Sequence, residues 1–97
     1  MNNMRAIHPG EIIREEYLKP LGMSANALAT ALRVSAPRIN DIVREKRAIS
    51  VDTALRLARY FDTTAQFWLN LQTSYDLKVA QKNVEIIQQE VLPMRVA

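Results

Sequence analysis

Residues 24–43, SANALATALRVSAPRINDIV, constrain the fold of this chain more than any other stretch. They read as two short helices separated by a tight turn. Leu28, Ala29 and Leu32 share one face of the first, and Ile39, Ile42 and Val43 share one face of the second, at i, i+3, i+4 spacing. Ser24 and Ser35 stand where helix N-caps belong, so each pattern has a defined start. Ala29 is small where the two helices would cross closely. Val34 would plug the turn, and Ile39 would lock the second helix onto the core.

That spacing resembles the helix-turn-helix of repressor proteins. At about 100° per residue, Ile39, Ile42 and Val43 centre the buried face of the second helix. Pro37, Asp41 and Arg44 fall almost opposite, with Arg38 and Asn40 on the two shoulders. A buried face backed by proton donors and one acceptor suits a major-groove reader: arginine can donate two bonds to guanine, and asparagine can bond adenine bidentately. Pro37 costs little in a first turn, where its missing N–H is not needed. Asp41 also lies three residues from both Arg38 and Arg44, a spacing that allows simple surface pairs. Arg33 occupies a turn position where glycine is common, and a left-handed arginine there costs about 1 kcal/mol.

The charge distribution agrees with this reading. The 97 residues carry 13 basic and 10 acidic side chains, a net +3. Residues 33–59 hold seven basic groups (Arg33, Arg38, Arg44, Lys46, Arg47, Arg56, Arg59) against three acidic ones (Asp41, Glu45, Asp52), which is +4. The excess thus sits on and just after the reading helix, as a nucleic-acid footprint should. Nearly half of the residues are apolar, enough for one compact domain with a modest core. No apolar run approaches the roughly 18 residues of a membrane helix. MNNMRAIHPGE has no stretch of signal-peptide type, and the chain has no cysteine for disulfide, thiolate or cysteine-based metal chemistry. A cytoplasmic protein is expected.

Taken in order, residues 1–7 form an N-terminal arm, residues 8–78 a helix-turn-helix domain and residues 79–97 a C-terminal tail. His8-Pro9-Gly10 precedes a helix through about Leu18, with Ile12, Ile13, Tyr17 and Leu18 inward; Lys19-Pro20-Leu21-Gly22 ends it. His8, the only histidine, reads as a cap or turn residue. After the charged connector 44–49, Ser50 starts a helix in which Val51, Ala54, Leu55, Ala58 and Phe61 or Asp62 follow helical spacing, so that one face is apolar. Residues 62–64 break and recap. The next helix runs from Ala65 to about Lys78, with Phe67, Trp68, Leu71 and Tyr75 on or near one face and Trp68 in the core. The expected fold is therefore all-α: five helices near 9–18, 24–32, 36–44, 51–61 and 65–78, plus the tail. Val84, Ile86, Ile87, Val91 and Leu92 make that tail apolar, but its periodicity is weak. It could extend a helix, form a strand on a partner's sheet edge, or seal a dimer.

Nothing points to catalysis. There is no glycine-rich phosphate loop and no paired-histidine metal spacing, and the serines have no histidine base beside them. Glu15 and Glu16 diverge by about 100° on a helix and cannot work as a pair. No cofactor, metal or small-molecule ligand is expected, and the chain does not read as an enzyme.

HPGEIIREEYLKPLGMS, followed by RINDIVREKRAISVDTALRLARYFDTTAQFWLNLQTSYDL, resembles the HigA-type, or VapI-like, antitoxins of the XRE helix-turn-helix family. The resemblance covers residues 8–77. The chain departs from that pattern at Arg33 and at Glu45, where relatives commonly have glycine after the reading helix. The resemblance implies an all-helical homodimer that binds palindromic operator DNA, represses its own operon and neutralises a small RelE-like ribonuclease toxin. Within that reading, Arg38, Asn40 and Arg44 carry DNA affinity, and Ser35, Pro37 and Asp41 shape base choice. Ser24, Asn26, Lys46 and Arg47 bond phosphate. The helix at residues 68–77 and the tail are the expected dimer surfaces. A stand-alone repressor without a toxin, and a helical protein-interaction module that never touches DNA, are the alternatives. A neighbouring toxin-type reading frame separates the first, and salt-dependent promoter binding the second.

Overall fold

A computed structural model describes residues 5–95; residues 1–4 of the arm and residues 96–97 of the tail lie outside that range. Helix α1 covers residues 9–21 in three parts, an α-helical turn Pro9–Ile12, a wider π-helical segment Ile13–Leu18 and a last turn Lys19–Leu21. Then come α2 (Ala25–Leu32), α3 (Ala36–Val43), α4 (Val51–Phe61) and α5 (Ala65–Ala80), followed by a 3-10 turn (Gln81–Asn83) and α6 (Val84–Glu90). The described residues contain no strand. The all-helical fold is as the sequence reads, and five helices build the body.

Capping explains the starts. The hydroxyls of Ser24, Ser35, Ser50 and Thr64 each accept from the backbone N–H three residues on, at 3.0, 3.4, 3.2 and 3.1 Å. Four helices end on a left-handed residue: Gly22, Arg33, Glu45 and Asp62, all with φ between 56 and 65°. At Arg33 the N–H bonds Thr30 O at 3.1 Å and the next N–H, of Val34, bonds Ala29 O at 3.0 Å. At Glu45 the equivalent pair goes to Ile42 O at 2.9 Å and, from Lys46, to Asp41 O at 2.8 Å. Each pair satisfies two terminal carbonyls, which offsets the cost of a non-glycine residue in this region.

Two details differ from the sequence reading. Lys19-Pro20-Leu21-Gly22 ends α1 as read, but the last turn runs on from Leu18 to Leu21. The N–H of Lys19 reaches back to Arg14 O, five residues away, and this wider turn accommodates a proline ring that would clash with the carbonyl four residues back. The helix therefore gains a turn and ends at Gly22. In α4, Val51 and Leu55 point outward at 59% and 56% exposure, while Thr53, Ala54 and Leu57 are the buried set. The inward stripe is rotated from the one the apolar residues alone suggest, because Thr53 is held inside by Ser50 Oγ at 3.1 Å.

The core gathers Ile13, Leu28, Ile39, Ile42, Leu57 and Trp68, all fully buried. Trp68 donates Nε1–H to Thr63 Oγ1 at 2.8 Å, and Tyr17 packs against it and Phe61 at ring distances of 5.4 and 4.5 Å. Trp68 is thus core, as read, and is withdrawn from the expected dimer surface. Gln72, a buried polar residue with no sequence signal, accepts from Ile49 N–H at 2.8 Å and fastens the connector to α5. Within the tail, residues 84–90 are helical and residues 91–95 lie in neither helix nor strand; every residue from 81 to 95 is exposed. The radius of gyration, 16.8 Å, exceeds the roughly 12–13 Å of a compact chain this long, because α5, the 3-10 turn and α6 carry the molecule out to a length of 58 Å.

The tightest junction joins α1 to the end of α3. A Cβ on Gly10 would lie 1.7 Å from Ile42 O. Neither backbone can yield without unseating its helix. Gly10→Ala is therefore expected to destabilise the domain by more than about 3 kcal/mol, at the severe end for point changes. Denaturant unfolding would measure it.

Candidate nucleic-acid interface

Helix α3 is held from three sides, and its fourth side is open. At its C-terminal end, Arg14 Nη1 donates to Val43 O and Arg14 Nη2 to Glu45 Oε2 at 3.2 Å. Toward α2, Asn40 Nδ2 donates to Asn26 Oδ1 at 2.7 Å and to Ala36 O at 2.9 Å. Toward α4, Arg38 Nη1 donates to Asp52 Oδ2 at 2.7 Å. The shoulders inferred from helical angle thus exist, and each is fastened to the first turn of a neighbouring helix.

The open side carries Pro37, Asp41 and Arg44. Pro37 and Arg44 are exposed. Asp41 pairs with neither Arg38 nor Arg44; its Oδ2 accepts from Arg47 Nη2 at 3.0 Å, because the left-handed Glu45 swings the connector back across the helix end. Among the described residues the side chains of Arg44 and Lys46 have no hydrogen bond or ion pair, so their charges are available. Ser24 and Ser35 use their oxygens as caps and keep their O–H donors. Asn26, with Oδ1 occupied, keeps its amide donors, and Asn40 keeps a free carbonyl oxygen. Ten residues singled out in the sequence therefore flank or form one surface built on the first turn of α2, all of α3 and the connector. Seven of them are engaged within the protein as well, through the caps of Ser24 and Ser35, the Asn26–Asn40 and Asp41–Arg47 pairs and the Arg38 contact; Pro37, Arg44 and Lys46 have no side-chain partner among the described residues.

Sequence reasoning missed the residues that hold α3. Arg14 lies 29 residues from Val43, and Asp52 lies 14 from Arg38, so helical spacing carries no trace of either contact. The Asp52 carboxyl is kept below its ordinary range first by the hydrogen bond from Arg38 and next by that from Arg56. It stays ionised between two cations.

The helix-turn-helix family model matches residues 15–68, which contain α2, α3 and α4 entirely. Virulence-associated protein I of Dichelobacter nodosus is 66% identical over 89% of this chain and 80% of its own length. The Pseudomonas aeruginosa antitoxin HigA, solved with the higBA promoter, is 55% identical with a TM-score of 0.87, over 94% of this chain and all of that one. The antitoxin GraA, solved in complex with its operator, is 50% identical with a TM-score of 0.88, over 99% and 98%. The chain belongs to the HigA-type antitoxins of the helix-turn-helix family. That family consists of DNA-binding regulators and not of enzymes. Among the described residues no helix is long and apolar enough to cross a membrane.

The family's HPG opening has a physical role in this structure. His8, 3% exposed, is the N-cap of α1; its Nδ1 accepts from Gly10 N–H at 2.8 Å, and its ring meets Tyr75 edge-on at 4.8 Å. A cap that accepts through Nδ1 must be unprotonated there. Burial depresses the His8 pKa, against the opposing pull of Glu45 and Asp76 and of a hydrogen bond to the Arg47 backbone. The neutral form is favoured by folding, so its contribution is complete above the unfolded value near 6.5 and is lost as pH falls through the lower folded value. The thermal midpoint of the wild type should therefore drop between pH 7.5 and 5.5 more steeply than that of His8→Asn, which caps without titrating. Parallel curves would contradict this role.

Proposed function

We propose that this chain is the antitoxin of a type II toxin–antitoxin pair. It binds operator DNA as a homodimer, represses its own operon and neutralises a RelE-like ribonuclease toxin. The observation that carries the DNA half is the open side of α3, where Arg44 and Lys46 stand unpaired beside two hydrogen-bonded shoulders. It is supported by relatives of half or more identity that were solved on promoter or operator DNA. Arg38, Asn40 and Arg44 carry affinity, and Ser35, Pro37 and Asp41 shape base choice. Ser24, Asn26, Lys46 and Arg47 bond phosphate. Arg47 does so while sharing its charge with Asp41. Measured on DNA from upstream of its own gene, Asn40→Ala should cost about 1–3 kcal/mol and relax preference at one base pair. Lys46→Ala should weaken all sequences alike and lower the salt slope by about 0.9. Unchanged affinity and preference in Asn40→Ala would mean that another face reads DNA.

A single reading helix spans few base pairs, and a symmetric partner adds a second half-site about 34 Å away. The exposed apolar groups of the α5 end and the tail, Leu77, Ile86, Ile87, Val91 and Leu92, support self-association there, since a domain this small has no core left to cover them. In this reading the toxin is held away from α3, by the arm and the tail. The tail acts as a helix in this reading, because residues 84–90 are helical. Removing residues 81–97 is expected to abolish rescue of cells that express the neighbouring toxin gene, while the remaining domain still melts cooperatively. Full rescue by the shortened chain would dismiss the tail as the toxin surface.

A further inference from the structure

Asp52 lies outside the helix-turn-helix pair, in the first turn of α4, yet it grips the reading helix. Its Oδ2 accepts from two cations, Arg38 Nη1 at 2.7 Å and Arg56 Nε at 2.9 Å. Arg56 is itself anchored, donating Nη1 to Leu32 O at 2.9 Å at the end of α2. Thr53, fully buried, offers Arg38 Nη1 a second acceptor at 3.4 Å. One carboxylate therefore joins the end of α2, the first turn of α3 and the start of α4. A guanidinium is a rigid fork of five N–H donors. With Nη1 committed to α4, the Nε and Nη2 edge of Arg38 has no partner among the described residues, and it is the edge that suits a two-pronged contact. A free arginine on its flexible stem would reach for any phosphate, which adds affinity without sequence information. The Asp52 side chain is 54% exposed, so its negative charge also opposes phosphates approaching that shoulder.

We propose that Asp52 is a positioning residue for operator choice: it holds Arg38 so that the free edge of the guanidinium meets a base and not the backbone. The assignment rests on the DNA-binding reading given above. The test compares wild type and Asp52→Asn on a duplex from upstream of the gene and on a scrambled duplex of equal length and composition, over a salt series. Asp52→Asn keeps the shape of the side chain and removes its charge. Its affinity for the scrambled duplex should rise. The preference for the upstream duplex should fall roughly tenfold, within the range of one bidentate base contact. The salt slope on scrambled DNA should steepen by about 0.9, the mark of one added phosphate. In an Arg38→Ala background, Asp52→Asn should no longer lower the preference, an outcome that a purely structural role would not produce. A folded Asp52→Asn with wild-type preference and slope overturns the proposal, as does an undiminished further drop in preference when Asp52→Asn is added to Arg38→Ala. If Asp52→Asn does not fold, Arg38→Lys decides the matter. It keeps the charge without the fork, so the preference should fall at an unchanged slope, and a wild-type preference overturns the assignment. Wild-type protein that prefers neither duplex would refute the DNA-binding function itself, and this assignment with it.

Discussion

The fold depends on one backbone contact, the seating of Gly10 against the Ile42 carbonyl, where nothing larger than hydrogen fits. This contact fixes the start of α1 on the end of α3. Around it, His8 caps α1 from a buried position, and Arg14 closes the carbonyl end of α3 and pairs with Glu45. Without α1, the Val43 carbonyl at the end of α3 would lose the Arg14 donor, and a helix of eight residues has little stability of its own. The N-terminal helix therefore sets the position of α3 although it lies away from the open face.

The two shoulders complete the hold. Asn40 is bonded to α2 and Arg38 to α4, so the side chains best suited to read bases are already restrained before any DNA arrives. Restraint of this kind lowers the ordering cost of binding and favours discrimination over bulk attraction. Lys46 and Arg44 are exposed and unpaired among the described residues, so their charges are unscreened by any partner.

Much of this was legible in the sequence, for identifiable reasons. Ile39, Ile42 and Val43 declare a buried face because helical periodicity is a local property, and Ser24, Ser35, Ser50 and Thr64 declare starts because a cap acts three residues away. The contacts of Arg14 and Asp52 were invisible, since their partners are set by tertiary packing. Thr53 misled the reading of α4: a hydroxyl satisfied from inside the domain takes the place that an apolar residue was expected to fill. Arg33 and Glu45 were awkward at the sequence level because their side chains argue against φ near +60°; the paired carbonyl bonds at each helix end decide otherwise. The tail resisted assignment because every described residue of it is exposed, so no buried face selects a period.

In the function proposed above, α3, held by α1 and by its two shoulders, enters the groove of the DNA that controls this chain's own gene. A hydroxyl-radical and methylation footprint on the region upstream of that gene tests it most directly. The account predicts two protected major-groove patches on one face of the duplex, about one helical turn apart, with symmetric sequences and with protection that fades as salt rises. Uniform protection without a symmetric pair of patches, or none at low salt, would contradict it.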